Sequence, residues 1–497
     1  MTQGRIQVVV AGGGTAGWVT ACALARQLGP LLDVTLVESE EIGTIGVGEA
    51  TIPTQATFHA LIGLDERDFM SATQATFKLG IAFEGWARPT DRYVHSFGTI
   101  GRSPWMAHFL HVWLEGRARG LGSDLGAYCL ELRAAEEGRY GDEAVGGTAL
   151  NHAYHLDSGL YARRLRTLAE GAGVRRIEGR IAHVQRDARS GDVTALTLQD
   201  GRCVPGAFFV DCTGFRGLLI EDALGAGFED WGHCLPTDRA VTVQTEPAGP
   251  PRPYTRAIAH EAGWRWQIPL RHRVGNGLVY ASEHLGEDEA TARLMSMVDA
   301  APLTEPRAIR YRTGRRRSVW SHNCVAIGLS AGFVEPLEST AIHLIQVGVT
   351  RLIKYFPFAG TSPALRDRFN ALARVEIERV RDFVLLHYKL TERDDSAFWR
   401  AHREAVVPDS LAARIALFEE HAHAYQGPED LFQPDSWVQV MLGQRLAPRG
   451  RHGVGAMMSD AQLGQALLGL ERRVDAALAK LPRHEDFLAR YCPPPIA

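Results

Sequence analysis

A short apolar strand running into a glycine-rich turn at the head of the chain limits its fold more than any other feature. Ile6, Val8, Val9 and Val10 form a β-branched run that reads as a buried strand. Gly12-Gly13-Gly14-Thr15-Ala16-Gly17 follows, and Trp18 to Leu28, rich in Ala and Leu, reads as a helix. A second apolar run, Val34-Thr35-Leu36-Val37, closes on Glu38. This is a βαβ start with G-x-G-x-x-G in its turn and an acid about 20 residues beyond it. The motif alone is weak evidence. Set between a strand and a helix, with the acid in place, it predicts a dinucleotide site. Gly12, Gly14 and Gly17, with Thr15 and Ala16, let backbone approach a pyrophosphate at the helix N-terminus, and Glu38 can hold a ribose hydroxyl pair.

Composition narrows the class. At 497 residues the chain exceeds one ordinary core and predicts two or more lobes. Its net charge of −4 gives no case for nucleic acid or an anionic membrane. No apolar run is long enough to span a bilayer. The first strand leaves no room for a signal peptide, and the seven cysteines show no zinc or C-x-x-C spacing, which predicts no metal, reduced thiols and a cytoplasmic protein. Local arginine runs such as Arg315-Arg316-Arg317 read as a solvated or ion-paired face. Of the 54 basic residues only Lys78, Lys354, Lys389 and Lys480 are lysines. Where charge alone is needed this chain uses Arg, so a lysine in a functional setting invites a chemical reason: it can shed its proton and Arg cannot.

Further along, Ile45-Gly46-Val47-Gly48-Glu49-Ala50-Thr51-Ile52-Pro53 reads as a loop pressed against a ligand. Phe77, Leu79, Ile81 and Phe83 alternate with Lys78, Gly80 and Ala82, a single strand that puts Lys78 opposite the large apolar side chains. On that pattern a solvent-facing lysine fits as well as a functional one. Tyr93, His95 and Phe97 continue the alternation and share one face. Residues 151–170 read as a helix beginning after His152–Asp157, with His152 and His155 structural. Three strands are expected over 174–210, ending in a small-residue turn at Asp211-Cys212-Thr213-Gly214. That turn resembles the second approach to a dinucleotide in flavoproteins. With one G-x-G-x-x-G in the chain, it points to one dinucleotide, FAD, and no NAD(P)H domain. Residues 240–282 form a β-rich block in which Trp264 and Trp266 share a face, read from the pattern as a core aromatic pair. A strand at 325–328 leads into Ser330 to Ile342, which opens a helix through about 354 whose N-terminal amides could cradle an anion. From about 364 the chain is mostly helical.

With these blocks in view the sequence resembles the flavin-dependent tryptophan halogenases over nearly its whole length. The likeness rests on G-x-G-x-x-G, Gly46-Val47-Gly48-Glu49-Ala50-Thr51, the W-x-W-x-I-P motif of Trp264, Trp266, Ile268 and Pro269, and Glu335-Pro336-Leu337-Glu338-Ser339-Thr340. It implies an α/β fold: a single-FAD, Rossmann-type monooxygenase-like module with a β-rich substrate region over 1–360, and a helical lobe over 361–497 completing the substrate pocket. It implies that FADH2, supplied by a separate NAD(P)H-dependent flavin reductase, forms with O2 a C4a-hydroperoxide that oxidises chloride or bromide to hypohalous acid. That acid passes to Lys78, which holds it by hydrogen bonding or as a haloamine for attack by an electron-rich arene such as an indole. Glu338 stabilises the cation or takes its proton, with Glu335 as the alternative.

By the same resemblance Gly48, Ala50, Gly328, Leu329, Leu337 and Ile342 join the cofactor site, and the amides of Thr340 and Ala341 the halide site. Many members carry Gly where Ala341 stands. Ile52, Pro53, His95 and Phe97 line the arene pocket, and the tryptophan pair keeps substrate from the flavin. The C-terminal stretch Leu431 to Trp437 lacks the Phe-Trp pair of tryptophan-specific members, which leaves indole, another arene or a carrier-bound substrate open. A homodimer is possible. The rival readings are a flavin-dependent aromatic hydroxylase and an FAD-binding protein without catalysis.

Overall fold

The computed structural model describes residues 4–41, 48–142 and 149–493. Contacts divide the chain into two units that interleave along it: residues 1–75, 156–238 and 309–378 form the first, and 76–155, 239–308 and 379–497 the second. A single cut near residue 360 therefore does not separate them.

The first unit is built on a mostly parallel sheet. Strand Ile6–Ala11 lies between Leu32–Glu38 and Phe208–Asp211, with Arg175–Glu178 beyond one neighbour and Cys324–Ala326 then Trp320–Ser321 beyond the other. Val10 stands in register with Leu36 on one side and Val210 on the other. Val8, Val9 and Val10 are buried, as a central strand covered on both faces requires. Helix Thr15–Leu28 begins at Gly14 with no side-chain cap, so its first amides remain available. Residues 174–210 hold more strands than expected: Arg175–Glu178, Ile181–Arg186, Val193–Leu198, Cys203–Pro205 and Phe208–Asp211. The turns at Gly191 and Gly201 fall where the sequence placed them, both with positive φ. The arginine run takes the ion-paired alternative, with Arg317 alone exposed. Arg315 and Arg316 are buried and ion-paired, Arg315 with Glu229 and Glu378 and Arg316 with Glu221.

The second unit centres on a sheet in the order Arg307–Arg310, Arg239–Thr245, Val274–Tyr280, Gly263–Pro269, Thr255–His260, Gly80–Glu84, Arg92–Ser96. The strand expected over 76–83 is two strands. Thr76–Lys78 pairs with Ala153–His155, whereas Gly80–Glu84 pairs with Arg92–Ser96 and, in parallel, with residues 255–258. The chain changes sheets at Leu79, whose N–H donates to Pro253 O and whose carbonyl accepts from Phe97 N–H. Glycine at 80 makes the switch possible: a Cβ there would lie 2.5 Å from His95 O. Residues 153–157 are likewise a strand, with helix Ser158–Gly171 starting after Asp157. The C-terminal third is helical, as expected, from Pro363–Lys389 to His484–Tyr491.

Candidate active site

In the first unit the glycine turn is threaded under neighbouring backbone. Gly12 has φ +106°, and a Cβ there would lie 2.3 Å from Cys212 O; one at Gly17 would lie 1.8 Å from Gly12 O. Gly14 faces open space, with nothing within 4 Å of its Cβ position. Tight packing below and clearance above suit a pyrophosphate seated on the free amides of helix Thr15–Leu28. Glu38 accepts from Arg176 Nε and, at 3.3 Å, from Trp18 Nε1. Two of its lone-pair directions are taken, and the others can receive a ribose diol.

The turn expected after Phe208–Asp211 is held by its first residue. Buried Asp211 accepts from Thr213 N–H, Thr213 Oγ1 and Ser330 Oγ, and from the N–H groups of Leu219 and Ile220. It ties the Cys212–Gly214 turn to the Gly328–Ser330 turn. Gly328 there has φ +71°, and a Cβ would lie 2.8 Å from Ala16 Cβ. The expected cofactor residues Gly12 to Gly17, Glu38 and Gly328 thus converge. Of the loop 45–53, residues Ile45, Gly46 and Val47 lie outside the described residues. Gly48 and Ala50 sit on strand Gly48–Ala50 around Glu49, whose carboxyl is pushed up to about 7 by burial and by the Asp157 carboxylate.

The helix expected after Ser330 runs Ala341–Lys354, and its start is unusual. Pro336–Glu338 make one 3₁₀ turn, and Ser339 then takes a left-handed conformation, φ +58°. Thr340 stands at the N-cap without capping the helix, and its fully buried hydroxyl has no hydrogen-bond partner. An uncapped, buried helix start with an idle donor fits a small anion. Glu335, Leu337, Glu338 and Ile342 are all buried around it, whereas Leu329 is half-buried. Ile52 is buried, and Pro53 precedes helix Thr54–Ile62.

In the second unit Lys78 has 0% exposure, against the solvent-facing reading. Lys354 and Lys480 are exposed, and Lys389 binds the carbonyls of Arg403 and Ala405. Lys78 Nζ lies 5.1 Å from the Phe97 ring centroid. Phe77 points to the other side of its strand and stacks on Tyr140 at 3.9 Å. His95 is buried among Phe97, Phe383 and Phe432, with ring centroids 5.5–6.4 Å away. Phe383 and Phe432 stack at 3.7 Å, and Trp437 meets Phe383 edge-on. Sequence reasoning missed this aromatic wall because its members are brought together only by tertiary folding. Trp264 and Trp266 are buried with rings 6.0 Å apart. Ile268 and Pro269 end their strand.

Comparison with known proteins gives this arrangement its family. A profile described as tryptophan halogenase matches residues 7–460. The tryptophan 6-halogenase SttH of Streptomyces toxytricini is 39% identical over 473 residues, covering 89% of this chain and 90% of its own. The chain belongs to the tryptophan halogenase family. Among solved structures, the flavin-dependent halogenase Xcc4156 of Xanthomonas campestris superposes with a TM-score of 0.97 at 53% identity, over 99% of this chain and 100% of its own. BrvH of Brevundimonas sp. BAL3, also a flavin-dependent halogenase, gives 0.94 at 45% identity, over 98% and 100%. This halogenase is therefore a flavin-dependent enzyme. The hydroxylase and the non-catalytic flavoprotein give way to that reading. Among the described residues no helix of this halogenase is long and apolar enough to cross a membrane.

Proposed function

We propose that the protein halogenates an electron-rich, uncharged arene of the indole type, using FADH2 from a separate NAD(P)H-dependent reductase, O2, and chloride or bromide. The observation that carries this reading is Lys78, a fully buried lysine in a chain that otherwise meets its need for cations almost wholly with arginine. A buried ammonium is costly, and retaining one implies work that arginine cannot do.

Reduced flavin, when bound, supplies the electrons by which O2 oxidises halide to hypohalous acid. Gly12 to Gly17 hold its pyrophosphate and Glu38 its ribose. The uncapped amides at Thr340 and Ala341 hold the halide. Lys78 holds the oxidised halogen, by a hydrogen bond to its oxygen or as an N–halogen bond formed with loss of water. The arene attacks the halogen; hydroxide leaves in the first case and the lysine amine in the second. Glu338 takes the ring proton, a task suited to a carboxylate facing developing positive charge. Trp264 and Trp266 keep the arene from the flavin.

The wall around His95 supports an uncharged ring as substrate. Its neighbouring charges already have internal partners: Asp435 is 3.0 Å from His108 Nε2, and buried Arg414 is paired with Asp430. Gln439 accepts from Ser96 N–H and Oγ. Flat aromatic surface is what the site offers. The test is incubation with FAD, a flavin reductase, NADH and either chloride or bromide over a panel of arenes, reading product isotope patterns. Halogenated indole is expected. Hydroxylated product without halogen would refute the proposal.

A further inference from the structure

The strand that carries Lys78 is fixed by a hydrogen-bond relay that the reaction scheme does not use. Thr76 and Lys78 point to one face of strand Thr76–Lys78. Opposite them on the paired strand stand His155 and Ala153. Ala153 is small and leaves room for the lysine stem, so His155 is the large diagonal neighbour of Lys78 on that face. His155 is fully buried.

Its protons can be assigned from its partners. The Thr76 hydroxyl has one proton and donates it to Pro269 O at 2.8 Å, the last residue of W-x-W-x-I-P. Thr76 Oγ1 must then accept from His155 Nδ1, 2.9 Å away. That leaves His155 Nε2 bare, and it accepts from the Thr255 hydroxyl at 2.9 Å. The ring is neutral, in one tautomer and bonded at both nitrogens. Burial, and the nearby charge of Lys78, hold it well below the ordinary histidine range. His484 is itself neutral: its Nε2 accepts from Phe77 N–H at 3.2 Å and its Nδ1 donates to Pro251 O at 2.8 Å. Two uncharged imidazoles thus bracket the strand beside the one cation that the scheme needs.

We propose that His155 is a positioning residue for Lys78, joining the lysine strand through Thr76 to Pro269 and through its own ring to Thr255. This rests on the role given to Lys78 above. A holder of reactive halogen must place it within reach of one ring carbon, and a displacement of 1 Å costs about a hundredfold in such reactions. Histidine suits the place because both ring nitrogens can be bonded while the ring stays uncharged.

The test uses the full chain with FAD, flavin reductase, NADH, bromide and indole. It reads flavin affinity, hypobromous acid escaping to a fast scavenger, and bromoindole. His155→Leu should form oxidant at the normal rate, lose most of it to the scavenger, and yield about tenfold less bromoindole at unchanged indole KM, a smaller loss than a full 1 Å displacement would bring. His155→Asn, whose amide can still donate to Thr76, should recover most of the product. Thr255→Val, a milder change, should lose product in the same direction and covers the case where His155→Leu does not fold. Normal coupling of oxidant to product in His155→Leu or Thr255→Val would overturn the proposal. So would an equal fall of oxidant and product in His155→Leu with no rescue by Asn. Lys78→Ala run alongside separates the two readings. Normal coupling in Lys78→Ala removes the role of the lysine itself, whereas lost coupling there with normal coupling in His155→Leu removes only the positioning.

Discussion

The glycine turn at Gly12–Gly17 and the strand at Thr76–Lys78 reach their purposes by opposite means. The turn works with backbone: glycines packed so closely that a Cβ on Gly12 or Gly17 would collide, under free helix amides. The lysine strand works with side chains. Its cation is buried, with aromatic rings and neutral histidines around it. A backbone site tolerates changes in side chains but not in chain path. A side-chain site can lose its function while its fold and its neighbours persist. Substitutions should therefore separate flavin binding from halogenation.

The largest effect is expected at the lysine. Lys78→Ala should lower product formation by about a thousandfold or more, within the range for loss of a group acting directly on the reacting atoms, and leave FAD affinity unchanged. Stopped-flow flavin binding and product analysis check both halves. Glu338→Gln should lower kcat about a hundredfold with substrate KM within a few-fold, since the carboxylate acts after the arene has bound. On the backbone side the expectation reverses. Gly12→Ala should cost about 1–3 kcal/mol of stability, because its φ of +106° and the approach of Cys212 O both exclude a side chain. Gly14→Ala should leave Tm unchanged, its Cβ position being open, while FAD affinity falls. A Gly14→Ala protein that binds FAD normally would break the comparison at its simplest point. Among substrates, indole should exceed free tryptophan in kcat/KM by about tenfold, as the charges beside the aromatic wall are already paired.

The smallest effects concern pH and differ in sign. Burial lowers His484, His260 and His402 in the second unit, and His343 in the first, to about 4, and His59 to about 3. Unfolded, each titrates near 6.5, so the unfolded chain binds more protons between these values. Their contribution to stability is complete above pH 6.5 and is lost as pH falls towards 4. Glu49 runs the other way. Its folded value of about 7 lies above the usual 4.5, so the fold holds the extra proton and stability declines as pH rises through that window. Tm should rise with pH from about 4 towards 6.5, and Glu49→Gln should make that rise steeper between about 5 and 7.

The same contrast decides what could be read from the residues alone. The turn was legible because strand, glycines, helix and acid lie within one short stretch, and their chemistry is local. The lysine strand was half legible. Alternation assigned Lys78 a face but could not say what covers that face, nor that the chain leaves one sheet for another at Leu79, since both depend on partners near Pro253 and Ala153. The extra strands in 174–210 are short pieces whose ends are set by pairing. His152–Asp157 carries no alternation strong enough to mark a strand before its helix. Phe383 and Phe432 meet His95 from a distant part of the chain, with Trp437 against Phe383, and His155 carries no motif. Its place is fixed by two threonines, one of them 100 residues away.

The central claim is that oxidant made at the flavin is used at Lys78. It is tested most directly by comparing wild type and Lys78→Ala at equal rates of flavin oxidation, with bromide and indole, and counting brominated product by its isotope pattern. The account predicts equal flavin oxidation and FAD affinity in both, with bromoindole from the wild type alone. Bromoindole from Lys78→Ala at the wild-type rate would contradict it.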